Sequence, residues 1–395
     1  MLLENNPYPQ DVRVRSEAES LARAGHAVTV IAPRGEGQPR REQLAGVRVR
    51  RFELPDAGGA KLGFVAEYLI ANFWLYLWGI AELLRGAEVV HFHNPPDTLF
   101  GVGFLARMLG REVVFDHHDL APELFEAKFG GGAVVGVLRL CERLTFRSST
   151  LVLAANESHR EVAIERGGVD PGRVAIVRNG PPPGAYAGVA AARGGNLEDP
   201  RLLFLGSMES QDGVDGLPEL IELLGRDFDL PGATLTCVGE GSRRAPLEAA
   251  FAAAGLGERV HFTGRVPHAE VPSLLAAADI CLDPAPCTPL NERSTMIKIA
   301  EYMAAQRPVV AFPLLETRRT GGDAVAFGER DDLGSFAAQV AQLAGAPERR
   351  AELARLGAER ARTLSWEQSE KVLLGAYADL TKERRSPSNG FSAAL

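Results

Sequence analysis

Short apolar runs and helical patterns alternate along this chain almost without interruption, and they do so in two series. In the first, apolar runs fall at 27–32, 47–52, 89–92, 113–115, 151–153 and 174–177, with helical patterns at about 11–24, 62–85, 97–110, 132–147 and 156–167. In the second, runs fall at 202–205, 234–238, 260–262, 280–282, 309–312 and 324–327. Its helices are read at about 214–225, 242–255, 269–278, 295–304, 333–344 and 347–363, with a last one at 366–382. Apolar runs joined by helices are the pattern of parallel strands covered on both faces. Between the series, Asn179-Gly180-Pro181-Pro182-Pro183-Gly184 and an Ala/Gly-rich stretch lose all periodicity and read as a linker. The expected organisation is a Rossmann-like domain (1–180), a linker (181–200), a second Rossmann-like domain (201–365), a helix returning to the first domain (366–382) and a disordered tail (383–395). A length of 395 residues suits two cores better than one. Only Met1-Leu2-Leu3 precede the first polar loop, so the opening strand reads either as a late start or as a clipped sheet edge.

Composition narrows the partners. With a net charge of −8, no nucleic-acid partner is expected, and any bound phosphate must be held by local groups. Lysine is rare among the 43 basic residues (Lys61, Lys128, Lys298, Lys371, Lys382), so each is a place to look for function. Cys141, Cys237, Cys281 and Cys287 show neither metal-ligand nor disulfide spacing, and the start is unlike a signal peptide; a reducing cytoplasm fits. The stretch 64–84 is rich in aromatics (Phe73, Trp74, Tyr76, Trp78), but Glu67, Asn72 and Glu82 interrupt it. A long helix buried on a sheet is the first reading; a lid, or peripheral contact with the inner membrane face, is the other.

Three places carry chemistry. Val238-Gly239-Glu240-Gly241-Ser242 ends a strand and opens a helix, a turn that lets backbone approach a ligand and aims N–H groups at it. A purely structural turn fits its incomplete glycine spacing equally well. In 291–304, Ser294 or Thr295 is the expected N-cap, and Thr295, Lys298 and Glu301 recur every third residue as a polar strip. A cation near a helix N-terminus suits a diphosphate, and a carboxylate one turn further can accept from ribose hydroxyls. The competing reading is a solvated ion-pair strip. In the first half, His91-Phe92-His93-Asn94-Pro95-Pro96-Asp97 and Phe115-Asp116-His117-His118-Asp119 put His and Asp at the carboxyl ends of two strands, where open α/β sheets bind ligands. Their spacing is not that of a helix-borne zinc site, and no metal is expected.

At these residues the chain resembles the family 4 retaining glycosyltransferases of the GT-B fold, over nearly its whole length. The resemblance runs from Asn5-Asn6-Pro7-Tyr8-Pro9 and Asp11-Val12-Arg13-Val14 through Leu21-Ala22-Arg23-Ala24-Gly25-His26 to the final helix. It is most specific in Ser294-Thr295-Met296-Ile297-Lys298-Ile299-Ala300-Glu301-Tyr302-Met303-Ala304 with Arg307-Pro308-Val309-Val310, which look like the donor-binding helix and the strand after it. Val238-Gly239-Glu240-Gly241, Phe262-Thr263-Gly264-Arg265-Val266 and Asn179-Gly180 also fall on its motifs. The resemblance implies two α/β Rossmann-like domains facing across a cleft. It further implies transfer from a nucleotide-sugar co-substrate with retained configuration, no other cofactor and usually no metal. Glu301 is then the ribose ligand, Thr295 and Met296 meet the diphosphate, and His118 lies near the transferred sugar. Gly239, Gly241, Arg265, Arg293 and Ser294 join the donor side; Asn5, Asp11, Arg13, His93, Asp97 and Asp119 are assigned to the acceptor side. The acceptor is expected to be a saccharide or a lipid-linked molecule.

The chain departs from the family at three positions. Arg293 stands where a second glutamate is usual, Ser207 where an Arg is usual and Asp212 where a Lys is usual. Both usual diphosphate cations are thus absent, and Lys298, with Arg293, is left to supply the charge. These departures keep a non-catalytic, sugar-nucleotide-binding subunit open as a rival, beside a sugar-nucleotide epimerase on the same fold.

Overall fold

The computed structural model describes residues 1–4, 6–54, 61–182, 184–189 and 193–385. The chain divides into two compact units, Met1–Arg178 with Gln368–Leu395 and Asn179–Glu367. Unit 1 contains α1 (Val12–Arg23), β1 (Thr29–Pro33), β2 (Arg41–Leu44), β3 (Val47–Phe52), α2 (Lys61–Leu84), β4 (Val89–His93), α3 (Phe100–Met108), β5 (Glu112–His117), α4 (Ala121–Phe129), α5 (Ala133–Ser148), β6 (Leu151–Ala154), α6 (Glu157–Glu165) and β7 (Val174–Ile176). Its strands lie in the orders β2-β3-β1 and β4-β5-β6-β7, parallel except for β2. Leu2 bridges Ile31 and Phe92, both in parallel, and so joins the two groups. The clipped-edge reading is therefore corrected: the short apolar start sits at the centre of the sheet, with Leu2 N donating to His91 O at 2.8 Å and Leu3 N to Ile31 O at 3.0 Å.

The core explains the helix positions. Ala71, Leu75 and Leu83 of α2, Val102 and Ala106 of α3 and Phe146 of α5 close over Phe92, Val113 and Phe115 of the sheet. Only the inner face of α2 is covered, because its outer face presents Leu69, Phe73 and Leu77 to solvent. Among the described residues, no helix is long and apolar enough to cross a membrane.

Unit 2 contains β8 (Arg201–Leu205), α7 (Leu217–Asp227), β9 (Thr234–Val238), α8 (Arg244–Ala253), β10 (Val260–Gly264), α9 (Val271–Ala277), β11 (Ile280–Asp283), α10 (Ile297–Ala304), β12 (Val309–Ala311), α11 (Leu315–Gly321), β13 (Val325–Phe327), α12 (Leu333–Gly345) and α13 (Pro347–Thr363). The last helix, α14 (Trp366–Arg385), belongs to unit 1 from Gln368 onward. The strands form one parallel sheet, β10-β9-β8-β11-β12-β13. Strand order reverses between β8 and β11, which makes their carboxyl ends the switch point where such sheets take ligands. Those two strands pair only at Ile280↔Leu202 and Cys281↔Leu203. Beyond that point the Tyr302 hydroxyl links them, accepting from Leu205 N at 2.8 Å and donating to Leu282 O at 3.3 Å.

Three elements escape the sequence pattern. β2 is polar and held by its antiparallel ladder to β3, not by burial. α4 opens on Ala121-Pro122, with proline in the first turn, where it is tolerated. α11 is short, rich in Thr and Arg, and ends at Gly321. The stretch read as a linker is packed onto unit 2, where Tyr186 and Leu197 are buried in its core. Helix α14 continues to Arg385, past the expected boundary at 382, and the rest of the expected tail lies outside the described residues.

Candidate active site

In unit 2 the ends of β8 and β9 and the loop after β10 surround a pocket of about 260 Å³, with Gly206, Ser207, Gly239, Arg265, His268 and Glu301 in its wall. The glycines of the 238–242 turn are explained by packing. A Cβ on Gly239 (φ +134) would stand 2.0 Å from Gly206 O, and one on Gly241 would stand 2.3 Å from Met208 O. Only glycine lets these two loops touch and form the pocket floor.

Helix α10 feeds two charged side chains into this region. Glu301 reaches the pocket, its Oε1 accepting from the Tyr186 hydroxyl at 2.9 Å with His268 Nε2 4.0 Å away. Burial raises its pKa, and the Tyr186 hydrogen bond opposes that shift. Lys298 points inward instead, to the switch point. Its Nζ lies 3.2 Å from Asp212 and 3.4 Å from Asp283, and 4.5 Å from the centre of the Phe204 ring. Burial raises the pKa of both aspartates, and Lys298 pulls them back. The single polar strip expected on this helix is thus two separate environments.

The expected N-cap also changes. Met296 precedes α10 with no side-chain cap, because Ser294 closes a short turn and its Oγ donates back to Leu290 O at 2.9 Å. Ser294, Thr295, Met296 and Arg293 are not in the pocket wall, and Arg293 is exposed. Glu292, out of register in the motif, accepts from Leu315 N and pairs with Arg330. Arg265 pairs with no carboxylate among the described residues, so it is a cation still available in the pocket.

Unit 1 gathers its polar residues around Asp116. Arg13 Nε and Nη2 lie 2.7 Å and 2.5 Å from its two oxygens, His93 Nδ1 at 2.9 Å and His118 Nδ1 at 3.1 Å. Burial alone would push Asp116 up; Arg13, then His118 and His93, hold it well below the usual carboxylate range. Burial likewise works against charge on His118, but Asp116 outweighs it and raises the pKa to about 9. His118 is therefore charged at neutral pH, with Nδ1 committed to Asp116 and Nε2–H left for a ligand. Asn94 fixes the same tip, its carbonyl accepting from His118 N at 2.8 Å and Asp119 N at 3.1 Å. Behind the hub, His91 stacks on His93 at 4.3 Å, and the Tyr377 hydroxyl of α14 meets His91 Nδ1 at 2.8 Å.

Ligand atoms of Glu17, His91, His93 and Asp116 lie within 4.8 Å of one another, which raises a metal. The donor set does not converge: the imidazoles stack only 21° from parallel, so their in-plane lone pairs run side by side, and Arg13 already occupies Asp116.

The acceptor-side residues lie in different settings. Arg13, His93 and Asp97 are buried and stand behind the surface. Burial raises Asp97 to about 8. Asp11 is the N-cap of α1, accepting from Val14 N at 3.0 Å. Asp119 is half-buried beside His118, and Asn5 lies outside the described residues. Sequence reasoning missed Asn94, Tyr186 and Tyr302 as site residues, and marked Asp116 only as part of its strand tip. Asp116 and Asn94 stood in the quoted strand tips, and Tyr186 was the one aromatic in the Ala/Gly-rich stretch.

Two parallel α/β sheets in two units, each with polar residues at strand carboxyl ends, define the GT-B fold, which solved GT-B glycosyltransferases share. One of similar structure is Anabaena Alr3699/HepE in complex with UDP-glucose, with a TM-score of 0.68 at 16% identity over 96% of this chain and 98% of that one. The chain belongs to the glycosyltransferases: residues 10–180 match the glycosyl transferase 4-like domain and residues 199–345 the glycosyl transferases group 1. A 2-deoxystreptamine N-acetyl-D-glucosaminyltransferase of Streptomyces fradiae is 27% identical over 79% of this chain and 76% of its own length. A 2-deoxystreptamine glucosyltransferase of Streptomyces kanamyceticus is 36% identical, in a match that spans 29% of this chain and 27% of that relative.

Proposed function

We propose that the chain moves a sugar from a nucleotide-sugar, held by unit 2, to a saccharide or lipid-linked acceptor, with retained configuration and without a metal. The observation that carries this reading is the pocket at the ends of β8 and β9 with the Glu301 carboxylate in its wall. An ionised acceptor of that kind suits the paired hydroxyls of a ribose. Arg265, beside Gly206 and Gly239, suits the diphosphate. Lys298 is already matched by Asp212 and Asp283, so its part is to fix the loops at the switch point. UDP-glucose bound by the structurally similar Anabaena protein supports the donor class. Four free cysteines suit a reducing compartment such as the cytoplasm.

In the reaction the acceptor hydroxyl attacks the anomeric carbon from the face the diphosphate leaves. The bond from that carbon to the phosphate oxygen breaks, and this oxygen takes the hydroxyl proton. His118 donates through Nε2 to the transferred sugar, and Asp116 is its positioning residue.

A thermal-shift panel of nucleotide-sugars identifies the donor, because a ligand that binds only the folded state raises the melting temperature. Nucleotide release that requires an acceptor, and persists in strong chelator, is the expected result. Release lost in chelator and restored by Mg²⁺ or Mn²⁺ would mean a metal takes part. One observation favours a second reading, a non-catalytic donor-binding subunit: Lys298 faces two acids where phosphate charge needs a surplus cation. Donor binding with no release on any acceptor would select it.

A further inference from the structure

Among the described residues, most of the large apolar side chains left in water lie on the outer faces of α2 to α5. They include Leu69, Phe73 and Leu77 on α2, Met108 on α3, and Val137 and Leu140 on α5; Phe73 is 60% exposed and Met108 83%. The α2 residues follow at four-residue spacing and form one ridge along the helix. Helix α3 packs against both α2 and α5, and α4 packs against α5, so these side chains sit on neighbouring helices. Among the described residues unit 2 exposes far less, chiefly Ile297 and Leu315. Exposed apolar side chains concentrated in this way mark an interaction site.

The charges beside the ridges say what the partner is. Arg107 of α3, Lys128 of α4 and Arg139, Arg143 and Arg147 of α5 are all exposed. Arg107 Nη1 donates to Arg147 O at 3.1 Å, which gathers cations at the ends of α3 and α5. Among the described residues of α3 to α5, the exposed acid is Glu126, already 3.6 Å from Arg139, while Glu123 and Glu142 are held by Arg166. In a chain of net charge −8, this is a basic island set among apolar side chains. A second copy of the chain would press like charges together. A lipid surface answers both features, since apolar side chains enter the boundary of headgroups and acyl chains while arginines meet phosphates.

We propose that the outer face of α2, α3, α4 and α5 docks on an anionic lipid surface. The inference rests on the proposed transferase reading in one respect only, that it selects a lipid-linked acceptor over a free saccharide.

The test is flotation of the full chain with vesicles of phosphatidylcholine, with and without phosphatidylglycerol. Binding to the anionic vesicles, weakening with salt, is expected. Phe73→Asp with Leu77→Asp should abolish it. Arg143→Gln with Arg147→Gln should lower partitioning about thirtyfold, since each basic residue at such a surface contributes about 1 kcal/mol. Val372→Asp, on the exposed side of α14, should bind like the parent. UDP-glucose titration of every variant reports folding and the donor site separately. Intact UDP-glucose binding without flotation would overturn the docking face and leave the transferase reading standing. Flotation indifferent to lipid charge or to both double variants would overturn it as well. A dimer seen in sedimentation, dispersed by the same substitutions and without flotation, would replace lipid with self-association.

Discussion

Asp116 in β5 and Asp283 in β11 each put a buried carboxylate at the carboxyl end of a central parallel strand, yet their settings are opposite. Asp116 has Arg13, His93 and His118 around it and is held well below the usual range. Asp283 shares a single Lys298 with Asp212, and burial raises both acids. Topology places the polar groups in both units, but the ratio of cations to acids decides what each cluster delivers. Unit 1 presents a charged histidine. Unit 2 presents a clamp with no surplus positive charge, which in the proposed reading leaves the phosphate to Arg265.

The sharpest break of this comparison is at the histidine. His118→Ala should lower turnover by about 10²–10³ while leaving nucleotide affinity unchanged, as for a lost hydrogen-bond donor at the reacting centre. Asp116→Asn should leave a milder defect with a telltale pH profile. With a folded pKa of about 9, above the ordinary 6.5, His118 is charged throughout the neutral range and loses its proton only as pH rises through about 9. The parent's activity should therefore hold to that point, and its decline should move down toward the ordinary histidine range in the variant. The same shift ties His118 to stability: its contribution is complete below about 6.5 and is lost as pH rises through about 9.

The clamp is tested by stability. Lys298→Ala removes the partner of two largely buried acids and should cost about 3–5 kcal/mol. Because Asp212 and Asp283 have raised pKa values, the deficit should shrink in acid, where they take protons, and grow as pH rises. Urea melts of the variant at pH 5 and pH 8 read this directly. A smaller effect is expected from Asp212→Asn, which keeps Asp283 paired and frees part of the Lys298 charge. Nucleoside diphosphate should then bind a few-fold more tightly, and an unchanged affinity would mean that the phosphate never senses this cluster.

What the sequence disclosed follows the same division. Uninterrupted apolar runs such as 151–153 and 280–282 made the parallel strands legible, because such strands are buried on both faces and carry no alternation to confuse. Polar strand tips marked His118 and Asp116, since ligand sites of these sheets lie at carboxyl ends. Partners across the fold were not legible. Tyr186 and Glu301 are 115 residues apart, and Arg13 and Asp116 are 103 apart. Nor does helical spacing tell which way a side chain turns: Lys298 and Glu301 share a period, but one faces the switch point and the other the pocket.

The central claim is that the donor nucleoside lies against Glu301. Isothermal titration of Glu301→Ala with uridine, UDP and UDP-glucose tests it most directly, with Lys298→Met as the comparison. Each hydrogen bond lost to an ionised acceptor contributes about 1.5–3 kcal/mol, so all three ligands should weaken by roughly one to two powers of ten. Lys298→Met should leave uridine unaffected. If Glu301→Ala binds every ligand like the parent protein, the donor is not held on α10 and the account of unit 2 as the donor site is wrong.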